Sequence, residues 1–269
     1  MSFPTFDFAA PRATVTRALR YGTKLARKVA PRGFNVSEPI CQLFLNGFGK
    51  YTRYTFTNFP SLYSPPTASH CYYDLTLYDE VGSAVARTHV SVPAFASVEV
   101  RLEDVARGPL PALGVVAARF RPGSPLSYAD KHLGTITSHF YALYHDAGME
   151  SLSVVHPQTA LWADSPPPVP WRSNLLILPE LIDALEIFQL NPTPRPVEST
   201  ISLCALDGTA LLSARGRMPP RSARRTLWHG KDLPAERYLV LASDALAAPN
   251  AKPLLFQHYQ GRFFSAAHT

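Results

Sequence analysis

Two stretches of this chain, residues 42–58 and 175–191, are equal in length, and each ends in an Asn followed by a Pro-containing turn. The correspondence continues in register. Gly82 to Pro93 has the spacing of Gly208 to Pro219, and Gly114-Val-Val-Ala-Ala-Arg-Phe is answered by Tyr238-Leu-Val-Leu-Ala-Ser. Each copy closes on a hairpin. In residues 138–158, His145 stands three residues before Gly148 and His156 ends the following strand; in Lys252–Thr269, His258 stands three before Gly261 and His268 ends the strand. Register kept through this many anchor points indicates a tandem duplication, so the chain must fold as two copies of one unit. The first copy is longer at residues 62–69 and 122–137, both rich in turn formers and therefore read as surface loops.

Each copy holds about seven short alternating segments, the pattern of an antiparallel Ig-like sandwich. Composition agrees: charged residues make up only 17% of the chain while Pro numbers 26, which favours short strands and rigid turns over long charged helices. The predicted fold is all-β, two tandem antiparallel Ig-like β-sandwich repeats preceded by a basic N-terminal helix. The predicted boundaries are an arm at 1–40, repeat 1 at 41–164, a Pro-rich linker at 165–172 and repeat 2 at 173–269. The linker Ser165-Pro-Pro-Pro-Val-Pro170 reads as a stiff extended spacer.

The net charge of +6 is unevenly spread. Residues 1–60 carry Arg12, Arg17, Arg20, Lys24, Arg27, Lys28, Arg32, Lys50 and Arg53 against Asp7 and Glu38, so the remainder is close to neutral. That distribution argues against a nucleic-acid partner, which calls for a basic stripe on the folded body. From Pro11 to about Val29 a helix is predicted, with a narrow apolar stripe of Val15, Leu19, Gly22, Ala26 and Val29. It would pack on the body, or make peripheral contact with an anionic membrane through residues 11–29. The N-terminus lacks the pattern of a signal peptide, and Cys41, Cys71 and Cys204 are odd in number without metal-type spacing. Buried reduced thiols and a cytoplasmic location are expected.

Asn58 and Asn191 ending a strand, the turn Val92-Pro93-Ala94 with its weaker counterpart Met218-Pro219-Pro220, and the late strand Pro253-Leu-Leu-Phe-Gln257-His258 together resemble the sensory rhodopsin transducer family. Repeat 1 departs from that late-strand pattern, with Phe140-Tyr-Ala-Leu-Tyr144-His145. The resemblance implies a soluble β-sandwich, an oligomeric adaptor role and a face that takes a small ligand or sugar.

Histidine is the chemically distinctive resource, nine in all. If the first hairpin turns at Asp146–Met149, His139 and His156 fall opposite one another on adjacent strands. They would then hold a divalent metal with His89, or with His70 or His132, as a further ligand. The alternative reading has His145 and His258 serving as scaffold at the hairpins. Tyr141 and Tyr144, with His145, would form an aromatic ligand-binding end, although their opposite parity lets at most one face the core. A basic run, Arg215, Arg217, Arg221, Arg224 and Arg225, would bind an anion, dock the acidic turns of repeat 1, or guard an edge strand. No nucleophile elbow or phosphate loop is present in the sequence.

The function this supports is a non-enzymatic tandem β-sandwich protein that binds a small molecule or a protein partner. Its expected ligand-binding residues are His139, His156, Tyr141, Tyr144 and His145, in the longer repeat 1 or between the copies, with homo-oligomer formation as a further expectation. The rival is a metal-dependent enzyme built on His139, His156 and His89.

Overall fold

A computed structural model describes residues 40–58, 61, 69–123, 140–148, 152–155, 158–159, 171–172, 177–244, 253–259 and 263–267. The predicted N-terminal helix and linker residues 165–170 lie outside these, while Trp171 and Arg172, the last two residues of the predicted linker, form a strand paired with Leu239–Asp244.

Repeat 1 contains β1 (Ile40–Gly47), β2 (Lys50–Thr57), β3 (Cys71–Asp79), β4 (Ala84–Val92), β5 (Ser97–Arg101), the helical turn α1 (Leu102–Val105), β6 (Leu113–Pro122), β7 (Phe140–Asp146), β8 (Leu152–Val155) and β9 (Gln158–Thr159). Repeat 2 contains β10 (Trp171–Arg172), β11 (Ala184–Leu190), β12 (Val197–Cys204), β13 (Ala210–Met218), β14 (Ala223–His229), β15 (Leu239–Asp244), β16 (Leu254–Tyr259) and β17 (Phe263–Ala267). All pairings are antiparallel. In repeat 1 one sheet runs β4-β3-β6-β1 and the other β5-β2-β7-β8, joined at a corner by the β1–β2 hairpin. In repeat 2 the sheets run β13-β12-β15-β10 and β14-β11-β16-β17. Apart from β9, which adds to β1 in repeat 1, these orders are the same strand for strand, and the all-β sandwich fold is as the sequence pattern requires.

The duplication extends to irregularities. The β3–β4 ladder shifts register at Leu77/Tyr78, and the β12–β13 ladder shifts at the matching Leu203/Cys204. Asn58 donates its amide N–H groups to the carbonyls of Ser69, Val92 and Pro93 at 2.8, 3.1 and 3.0 Å. Asn191 does the same to Arg195, Met218 and Pro219 at 2.7, 3.4 and 2.7 Å. One side-chain amide thus satisfies three turn carbonyls that strand pairing cannot reach. The turn that follows forces a non-glycine residue into the left-handed region in both copies, Phe95 at φ 58° and Arg221 at φ 55°.

Alternation explains most of the core. On β2 and β7 the inward residues Tyr54, Phe56, Phe140, Ala142 and Tyr144 are buried, while Tyr51, Arg53, Thr55, Tyr141 and His145 point outward. Strands β1 and β11 break this pattern, being buried on both faces. Their outer faces meet. Cys41, Leu43, Leu45, Val115 and Ala117 of repeat 1 share one apolar cluster with Phe188, Leu190, Leu254 and Phe256 of repeat 2. Continuous apolar runs are what strands covered on both sides require, and each sandwich surrenders one sheet face to the other. All three cysteines are free and buried, as expected, and burial pushes the Cys71 thiol up to about 12.

Candidate functional site

The junction between the repeats is held by one buried carboxylate. Glu186, on the outer face of β11, lies 2.7 Å from Nζ of Lys50, with side-chain exposures of 2% and 3%. Lys50 comes from the first turn of β2 in repeat 1, so the pair crosses the interface. Nε2 of His258 stands 2.7 Å from the same carboxylate, and the Arg225 guanidinium bonds its other oxygen. Burial alone would push this carboxyl up; hydrogen bonds from His258, Lys50 and Arg225, with the Lys50 charge, outweigh it and take it down to about 2. Arg225 also lies over the Phe48 ring of repeat 1, 4.2 Å from its centroid. Nearby, the 218–222 turn meets the acidic turn of repeat 1, with the Ala223 N–H donating to the Glu80 carbonyl at 3.2 Å. The basic run therefore does dock on repeat 1 in part, through Arg225 over Phe48 and the backbone of the 218–222 turn, while the Arg225–Glu186 pair stays within repeat 2. Arg215 and Arg217 are exposed on the edge strand β13.

Position by position, the same face of repeat 1 is built from different chemistry. The Asn58/Asn191 anchor and the ladder registers make Arg53 the counterpart of Glu186, Thr55 of Phe188, Thr57 of Leu190, Tyr141 of Leu254, Leu143 of Phe256 and Ser97 of Ala223. Apolar residues on the covered face become polar or amphipathic ones on the face of β5, β2 and β7. His145 corresponds to His258, but where Glu186 draws His258 to itself, Arg53 repels a charged imidazole. Burial and then the Arg53 charge hold His145 below its ordinary value, with Arg101 adding to the effect against Glu99. The ring stacks on Tyr51 instead, centroids 4.7 Å apart and planes 4° from parallel.

Two guanidiniums flank this stack. Arg53 and Arg101 are direct cross-strand partners, lying 5.7 and 5.2 Å from the Tyr51 centroid. Like charges directly opposite destabilise a ladder; here Glu99 bonds Arg53 at 2.8 Å, Glu103 lies 3.6 Å from Arg101, and the Tyr51 π-face receives both cations. The Arg53–Glu99 pair is about a third to a half exposed and screened by solvent, so it does not fix the arrangement alone. The result is a Tyr51–His145 stack flanked by two guanidiniums and by the carboxylates of Glu99 and Glu103.

Of the residues singled out from sequence, Tyr141 and His145 lie on this face together. Tyr144 does not: it is buried, donates its hydroxyl to the Leu43 carbonyl at 2.9 Å and packs edge-on against Phe256. His139 and His156 lie outside the described residues. The register assumed for them is corrected. Ala142 pairs with Val155 and His145 with Leu152, a ladder offset by two residues from one that opposes His139 to His156. The offset arises because the connection from β7 to β8 is longer than a two-residue turn. His89 is exposed on the outer face of β4, across the sandwich from β7, and His70 is exposed beside β3. Among the described residues no group of three His, Cys, Asp or Glu side chains stands close enough to hold a metal. Tyr51, Arg53 and Arg101 were missed. Their signal was parity: each is register-paired on the outward face that carries Tyr141 and His145.

Fold and face define a duplicated antiparallel β-sandwich protein whose two copies differ, among the described residues, most on the face that repeat 1 covers in repeat 2. No family model matches the chain, and neither a curated protein nor a solved structure matches it. Among the described residues no helix is long and apolar enough to cross a membrane.

Proposed function

We propose that the protein is a non-enzymatic binding module and that the outer face of β5, β2 and β7 is its recognition surface for a small molecule or a protein partner. The observation that carries this reading is the residue-by-residue conversion of a face that is apolar and covered in repeat 2 into one that in repeat 1 is aromatic, cationic and, among the described residues, not covered by the other repeat. The Tyr51–His145 stack sets aromatic surface on this face, and Arg53, Arg101, Thr55 and Tyr141 supply polar groups around it. That combination takes a sugar ring or another flat, preferably anionic group.

The test is retention on immobilised neutral and acidic sugars, for the native protein against a Tyr51→Ala/Arg101→Ala variant. These exposed substitutions leave the core intact. Retention by the native chain that the variant loses supports the proposal; equal retention, or none on any ligand together with no partner bound at this face, contradicts it.

A further inference from the structure

The junction inside the chain uses one half of each repeat, and the corresponding other halves are related to it by charge inversion. On the used side, the end of repeat 1 supplies Phe48 and Lys50, and the face of repeat 2 supplies Glu186 and Arg225. The counterparts are Leu181 and Asp183 at the end of repeat 2, and Arg53 and Glu99 on the face of repeat 1. The order cation, anion, cation in Lys50, Glu186 and Arg225 becomes anion, cation, anion in Asp183, Arg53 and Glu99. Even the cross-strand pair is retained with its signs exchanged, Arg225 with Glu186 and Arg53 with Glu99.

The turn contact repeats the relationship. Inside the chain, the turn bearing Gly82 packs so closely on the Pro220 carbonyl that no Cβ would fit, and Arg221 of that turn donates to Cys41 Sγ at 3.4 Å. The counterpart of the first turn carries Gly208, where an added Cβ would meet nothing within 4 Å, and Leu206, 64% exposed. The counterpart of the second carries Phe95, 58% exposed and held at φ 58°. An exposed Phe in the left-handed region is costly for a solvated turn.

We infer that this face of repeat 1 receives the matching end of repeat 2 from a second copy of this chain, Asp183 meeting Arg53 and Leu206 meeting Phe95. This rests on the reading of that face as a recognition surface and names its occupant. The same charges disfavour wrong pairings, since Lys50 against Arg53, or Asp183 against Glu186, would juxtapose like signs. A heterologous contact of this kind propagates head to tail. The receiving face carries Thr55, Thr57 and Ser97 in place of Phe188, Leu190 and Ala223, so the contact between copies is reversible and weakened by salt, unlike the junction within the chain.

Sedimentation velocity on the full chain, from micromolar to near-millimolar concentration, tests this. The native protein self-associates, Asp183→Arg and Arg53→Asp each weaken association by about tenfold or more, and combining them in one chain restores it. Leu206→Ser, in an exposed turn, weakens it without touching a charge. A native chain that stays monomeric throughout, or a double variant no better than either single one, overturns the inference. Loss of sugar retention in Arg53→Asp with the native chain monomeric would separate the two readings, leaving the face as a recognition surface for another ligand.

Discussion

Lys50 and Glu186 meet at 2.7 Å across the boundary between the two repeats, both almost fully withdrawn from water. A buried pair adds little when replaced whole by apolar residues, but removing one partner strands the other charge. Glu186→Gln is therefore expected to destabilise the protein by about 3–5 kcal/mol, read as a lowered midpoint in urea. Because the pair crosses the junction, the loss falls on the contact between repeats as well as on repeat 2.

Acid should act through the same group. The Glu186 carboxyl is depressed from 4.5 to about 2 in the folded protein, so its contribution is complete above 4.5 and lost as pH falls towards 2. Melting temperatures across that window should fall in the native protein, with a component worth about 3 kcal/mol that is missing in Glu186→Gln. Parallel pH profiles for the two proteins would show that the carboxylate is not held as described.

Asn58 and Asn191 are expected to cost alike. Replacing either by Ala leaves three turn carbonyls without their donor, a loss of about 1–3 kcal/mol at each site. Matched losses in thermal unfolding would confirm that the two amides perform one duplicated task; a cost confined to one repeat would contradict it.

Much of this was legible in the sequence because the duplication keeps its spacing. The strand order, the Asn anchors and the kinship of His145 with His258 all follow from register. What escaped was longer in range. Lys50 and Arg53 were counted with the cations of the N-terminal arm, yet both belong to β2, one turned into the junction and the other outward. Glu186 looks like an ordinary outward residue of an alternating strand, and only the arrival of repeat 1 buries it. Likewise the β7–β8 register depended on a connection whose length alternation cannot specify, and Tyr144 on which parity the core would take.

His145 provides a local probe of the recognition face. Its imidazole sits below the usual histidine range, first through burial and then through Arg53, with Arg101 adding to the effect. Replacing Arg53 or Arg101 by Gln should raise its titration midpoint in NMR spectra. An unchanged midpoint would mean that the guanidiniums do not gather around the Tyr51–His145 stack.

The central claim is that one face of repeat 2 is covered by repeat 1 while, among the described residues, its counterpart on repeat 1 is not. Hydroxyl-radical footprinting of dilute protein reads this directly, side chain by side chain. Tyr51, Tyr141 and His145 should be labelled readily, and Phe188, Leu254 and Phe256 should be labelled only on unfolding. Comparable labelling of the two sets would contradict the account.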